Sequence, residues 1–272
     1  MMKHMILTLL TCVWLNSSAQ HPPVFEGMTM DSTFLELSDR SIELVKYKYG
    51  AQKISFLAIH DDEDTGVKAA FDYIRLNGGS IIDCQYGGQR NFEFSYEGLN
   101  YQTDPNSIYS REGISTGLKK YGQADEQIIV DQLAEVAKEI LNFYQPARLG
   151  YIFTLHNNGD EGFGISSYLP GAELENVADS VHVNPMMDPD DLILVTERVL
   201  FSKLKKENVN VVLQHQEAED DGSLSIYAMK NNIPYLNVEV QHGHLEDNLM
   251  LIEAGVRALR ESYPELIKKA AD

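Results

Sequence analysis

Cysteine is nearly absent: the 272 residues include two, Cys12 and Cys84. Cys12 falls in an N-terminal stretch that reads as a removable export signal. Cys84 is then alone in the remainder, which excludes an internal disulfide even outside the cytoplasm. Basic residues are scarce as well, 22 against 41 acidic, for a formal net charge of −19. No run of basic residues along the sequence offsets that balance, so the chain as a whole is expected to repel nucleic acid and anionic membrane surfaces. An apolar run long enough to span a bilayer is also missing. So are internal repeats and low-complexity linkers.

Residues 1–19 open with Met-Met-Lys-His, continue through an apolar stretch over 5–14 and close on Ser17-Ser18-Ala19 before Gln20. A basic start, an apolar segment too short to cross a bilayer and a small-x-small end together make a signal peptide. The mature chain is expected to begin near Gln20, in the periplasm or secreted. Cys12 follows Leu9-Leu10-Thr11, a poor lipidation motif because Thr replaces the usual small residue. Residues 20–272 are enough for one large α/β core and are read as a single catalytic domain.

From residue 53 onward, strand and helix signals alternate. Residues 63–76 carry Val67, Ala70, Phe71 and Ile74 at helical spacing and stop at Asn77-Gly78-Gly79, a C-terminal glycine signal. Residues 80–84 read as a strand, and 92–96 with 99–102 as a hairpin turned by Glu97-Gly98. A long amphipathic helix over 124–144 is stopped by Pro146, and segments 192–206, 209–213, 224–231 and 247–262 continue the alternation. The fold class expected is α/β, with helices on both faces of a central, mostly parallel (mixed) sheet. Residues 157–191, rich in Gly, Ser, Asn and Pro, are expected to form a functional rim.

Chemistry gathers at the ends of apolar strands, where open α/β sheets place their ligands. Residues 54–59 run into His60, with Glu63 three further on, and 149–155 run into His156. In 235–240, Leu236, Val238 and Val240 fill one face while Asn237 and Glu239 occupy the other. A carboxylate inside such a strand costs several kcal/mol unless something pairs with it. Two His and one Glu supply the three protein ligands of a catalytic zinc and leave a position for water. Glu239 is a further carboxylate, and a zinc-bound water nearby would be a partner for it. Each element also has a plain structural reading, His60 as a loop residue before a helix and Glu239 as a core ion-pair partner.

In this order the residues resemble the zinc carboxypeptidases and the related succinylglutamate desuccinylase and aspartoacylase deacylases. His60-x-x-Glu63, Arg90, Asp104-Pro105-Asn106, His156 and Glu239 follow the sequence of motifs in that superfamily, and the likeness covers about residues 53–260. It implies a three-layer α/β/α, carboxypeptidase-like fold and a zinc ion on His60, Glu63 and His156. It also implies Arg90 as the group polarising the scissile carbonyl and Glu239 as general base and acid. The family's Arg after Asn106 is replaced by Ser107. Arg111 is the candidate substitute for gripping a substrate carboxylate, beside Asn106, and Tyr168 and Tyr227 are the tyrosines expected to meet substrate.

The activity implied is hydrolysis of an amide bond, with a peptide or an acylated amino acid as substrate. A metallocarboxypeptidase-like peptidase is preferred over a deacylase, because the chain ends one helix after Glu239 and because the export signal suits peptides. A non-catalytic binding protein on the same fold is the alternative from another class, supported by Ser107. His242-Gly243-His244 reads as a pair of rim histidines, His215 as a neighbour of the site, and the acidic run 217–222 as a solvated loop.

Overall fold

The computed structural model describes residues 21–51, 54–160 and 162–266. The signal segment 1–19 and Gln20 lie outside the described residues.

A nine-stranded sheet forms the middle of the molecule. Its strands are β1 (Thr29–Leu37), β2 (Arg40–Tyr49), β3 (Ser55–Ala58), β4 (Gly79–Gln85), β7 (Ile152–Asn158), β8 (Ala178–His182), β9 (Leu192–Val195), β10 (Val211–Gln214) and β11 (Tyr235–Gln241). They are ordered β1-β2-β4-β3-β7-β11-β9-β10-β8. The inner neighbours β4–β3, β3–β7 and β7–β11 are parallel, as is β9–β10. Both edges and the β11–β9 contact are antiparallel. The parallel strands are thus the central ones, buried on both faces, where a near-continuous apolar sequence is required.

Helices α1 (Asp64–Asn77), α5 (Arg198–Lys206) and α7 (Leu245–Ser262) cover one face. They bury Phe56, Phe153, Leu155, Ile193, Leu236, Val238 and Val240 in one apolar cluster. On the other face α2 (Arg111–Lys120), α3 (Gln127–Tyr144) and α6 (Leu224–Lys230) enclose Leu57, Ile59, Ile82, Ile152, Leu194 and Val212. The result is the three-layer α/β/α arrangement. A one-turn helix, α4 (Pro146–Leu149), follows α3 where Pro146 was expected to stop it, because proline tolerates the first helical position. β5 (Phe92–Tyr96) and β6 (Leu99–Thr103) make a separate hairpin. Its Glu97 and Gly98 both sit at positive φ, 49° and 79°, as a type I′ turn requires.

Three segments depart from the expectations. The β1–β2 hairpin precedes the region where alternation was read; its strands are joined through Ser38 and Asp39, with Ser38 at φ 56°. The strand expected from residue 149 starts at Ile152, because Pro146 restarts the helix and Gly150 ends it at φ 80°. Segment 192–206 is a strand and a helix, not one element. Gly79, after the helix-ending Gly78, lies at φ 140°, and a Cβ there would stand 2.4 Å from Ile54 Cγ2.

Cys84 is fully buried on β4 and is a free thiol. Burial pushes its pKa well up, so it behaves as a small apolar side chain. Labelling with a thiol reagent is expected to be slow in the native protein and immediate in denaturant; fast native labelling would contradict this placement.

Candidate active site

The register of β7 and β11 places His156 directly beside Glu239 and Thr154 beside Asn237. All four stand on the face shared with Ile152 and Tyr235, while Phe153, Leu155, Leu236, Val238 and Val240 make the opposite face apolar. β3 ends at Ala58, two residues short of His60, and α1 begins just past Glu63. The turn between them carries both side chains to the carboxyl ends of the parallel strands. His60, Glu63 and His156 are each almost wholly buried, and their ligand atoms lie within 4.8 Å of one another.

Nδ1 of His60 is 3.0 Å from a Glu63 carboxylate oxygen without hydrogen-bond alignment. Glu63 Oε2 and His156 Nε2 also lack hydrogen-bond partners. Buried polar atoms are seldom left in this state. Two imidazole nitrogens and a carboxylate oxygen, converging and unsatisfied, fit a zinc-type cation. The tautomer of His60 is settled by Asp104, whose Oδ1 accepts from Nε2 at 2.9 Å and from the Asn106 amide at 2.8 Å. That bond leaves Nδ1 as the nitrogen a metal would take, by displacing its proton.

Electrostatics favours a cation here. Burial pulls His60 down, but Glu63 and Asp104 outweigh it and raise its pKa to about 10. Burial pushes Glu63 up, and His60, His156 and Arg90 outweigh it, bringing it to about 2. His156 is driven down to about 4 by burial, against the pull of Glu63, and stays neutral. Glu239 is raised by burial and by repulsion from Glu63. Its Oε2 is 3.9 Å from His156 Nδ1 and accepts from Asn237 Nδ2 at 3.2 Å.

The cleft above this centre measures about 570 Å³. Arg90, Asn106 and Tyr168 line it, together with Asp62, Asn237 and Asp221. Arg90 donates to Glu63, and Asn106 Oδ1 accepts from Leu224 N at 3.1 Å, anchoring the start of α6. Tyr168 arrives on the 157–191 segment, which also brings Phe163, Leu174 and Val177 to the rim. Part of that segment is regular, however, since it completes β7 and forms β8.

Two expected site residues are not brought to the cleft. Arg111 begins α2 on the outer surface, where its guanidinium holds Asp131 of α3 at 2.6 Å. Tyr227 lies on α6, facing Tyr109 with ring centroids 6.3 Å apart. Both line a separate recess between α2, α3 and α6. Arg111 is the first residue of α2, and Asp131 of α3 holds its guanidinium there, away from the cleft.

Asp61 is a contributor that strand-end reasoning passed over. Its Oδ2 accepts from the amides of Tyr86, at 2.5 Å, and Gly88, at 2.6 Å. Tyr86 in turn donates its hydroxyl to the carbonyl of Arg90, so Asp61 organises the loop that delivers Arg90. His21 lies against this network, 3.4 Å from Asp61 and 3.0 Å from Asp83. Those two carboxylates, Asp61 the more, raise its pKa from 6.5 to about 10.

Because that folded-state value is raised, the brace is complete below about pH 6.5. It is lost as the pH climbs towards about 10. Melting the wild type and His21→Gln across this window is expected to show a gap that closes with rising pH. A constant gap would rule the brace out.

No protein-family model matches the chain, and no curated protein matches it. Among solved structures it is similar to a candidate metallopeptidase from Shewanella denitrificans OS217, at 12% identity and TM-score 0.43 over 86% of this chain and 85% of the other. It is also similar to a succinylglutamate desuccinylase/aspartoacylase from Rhodobacter sphaeroides, at 12% identity and TM-score 0.44 over 94% and 71%. The cell shape determinant protein Csd4 from Helicobacter pylori, solved with a bound tripeptide, is similar at 11% identity and TM-score 0.38 over 90% and 57%. At these identities and scores the likenesses assign no activity.

Proposed function

We propose that this protein is a zinc-dependent hydrolase of amide bonds, most readily a peptidase that uses a carboxypeptidase-like metal centre without that family's terminal-carboxylate grip and works outside the cytoplasm. The observation that carries the reading is the buried convergence of unsatisfied His60, Glu63 and His156 atoms beside Glu239. These three side chains would hold the metal, which when bound lowers the pKa of its water from 15.7 to ~7. Glu239 would then take the proton and pass it to the leaving amine. Arg90, lining the same cleft, would offset negative charge on the scissile carbonyl.

Charge in the cleft bears on the substrate. Asp62, Asp104, Asp221 and Glu239 line it, with Arg90 as its sole guanidinium among the described residues. With Arg111 committed to Asp131, a polar peptide that is uncharged or cationic at this subsite suits the cleft better than one ending in a carboxylate. Deacylation of an acylated amino acid uses the same centre and is the alternative. A non-catalytic binding role is weakened because every ligand and base candidate is present. No helix among the described residues is long and apolar enough to cross a membrane, and export rests on residues 1–19.

The test is hydrolysis of a panel of peptides and N-acyl amino acids by the mature protein, with and without a chelator. Chelator-sensitive release of amine from free-carboxylate, amidated or basic peptides is expected, with the carboxylate-ended set slowest. No chelator-sensitive cleavage of any member would remove the reading and favour a binding role.

A further inference from the structure

Another recess, about 430 Å³ in volume, opens where the parallel strands β3 and β4 begin, away from the catalytic cleft at their carboxyl ends. Lys46, Lys48, Arg148, Ser55, Ser80 and Glu265 are among its lining residues. Lys46 and Lys48 are two apart on β2 and therefore project from one face of the sheet. Register sets Lys48 opposite Ser80 on β4, and Ser80 opposite Ser55 on β3. Arg148 reaches the recess from α4.

The polar groups here are mostly donors. Ser80 Oγ donates to Ser55 Oγ at 3.0 Å, and both side chains are buried. The Ser55 hydroxyl accepts that bond and keeps its own proton to give. Among the described residues, Lys46, Lys48 and Arg148 form no ion pair. The acids at the site are Asp31, across the strand pair from Lys46, and Glu265 on the rim. Burial lowers the Lys46 pKa, and Arg148 and Lys48 lower it further against the opposing pull of Asp31. In a chain with 22 basic and 41 acidic residues, three cations share one recess without a carboxylate bound to any of them. Such a set of donors is suited to a multiply charged oxyanion.

We infer that this recess binds a phosphate-type oxyanion, held by Lys46, Lys48 and Arg148 over the Ser55–Ser80 hydroxyl pair. The anion is either a small soluble phosphate or the phosphate of a lipid headgroup. None of these residues belongs to the catalytic cleft, so occupancy and hydrolysis are separable.

The experiment titrates inorganic phosphate into the zinc-loaded protein by calorimetry and follows the thermal midpoint. Vesicles of phosphatidylcholine, with and without phosphatidylglycerol, are sedimented in parallel. A Kd of about 1 mM or tighter is expected, weakened at least about tenfold in Lys46→Gln/Arg148→Gln. Hydrolysis by that variant should equal the wild type, and Lys48→Gln, at an exposed position, serves as a milder second variant. Lys119→Gln/Lys138→Gln, altering surface lysines elsewhere, should bind phosphate as the wild type does.

Phosphate binding without vesicle binding identifies a soluble ligand. Sedimentation that requires phosphatidylglycerol and is lost in the double variant identifies a headgroup. Absent phosphate binding, binding unchanged in Lys46→Gln/Arg148→Gln, or an equal loss in the surface-lysine control overturns the inference.

Discussion

Glu239→Gln is expected to keep its zinc and lose ~10² to 10⁴ in hydrolytic rate, the usual cost of removing a general base. The amide has the shape of the carboxylate and can still meet Asn237, whose Nδ2 lies 3.2 Å from Oε2. Binding of substrate should change little, so the loss belongs in kcat rather than KM. Glu239 is buried and its pKa is raised by burial and by Glu63, which means its charge opposes folding in the metal-free protein. The thermal midpoint of the variant should equal or exceed that of the wild type. Full activity on a substrate the wild type cleaves would show that Glu239 is not the base.

The second large effect is expected at His156. Replacing it by Ala removes one of the candidate ligands and leaves His60 and Glu63 too few to complete a catalytic zinc site. Elemental analysis should fall from about one zinc per chain to near zero, and hydrolysis should fall with it. Because His156 is buried beside Glu63 and Glu239, the cavity left by Ala also costs stability, so His156→Gln is the gentler companion. His60→Ala and Glu63→Ala should behave alike. Stoichiometric zinc retained by all three alanine variants would place the metal elsewhere; among the described residues, Asp191, His244 and Asp247 form a second group of suitable side chains.

Strand chemistry made much of this centre legible. Leu236, Val238 and Val240 lie in one apolar cluster while Asn237 and Glu239 face the cleft, as two-residue periodicity requires. His60 and Glu63 were legible because an apolar strand and an amphipathic helix bracket them. The Gly78 helix end and the Glu97-Gly98 turn were legible because positive φ is tolerated by few residues.

What stayed hidden is long-range. Asp104, the partner of His60, is 44 residues away in sequence, and nothing local marks an Asp before Pro as the group that sets an imidazole tautomer. Asp61 resembled its neighbours Asp62 and Glu63 until its two amide bonds were seen. Arg111 and Tyr227 were expected at the substrate, yet helix direction decides which way their side chains leave the backbone.

The sequence by itself determined the acidic balance, the single cysteine after residue 19, the apolar strands of the sheet centre and the residue types able to hold a metal. These are properties of composition and short-range periodicity, which exist before the chain folds. Tertiary structure decided which strands became neighbours, and so that His156 stands beside Glu239. It also turned Arg111 away to Asp131 and gathered Lys46, Lys48 and Arg148 around one recess. Pairing order and helix direction arise from burying both faces of the sheet at once, a condition that no local window of sequence contains.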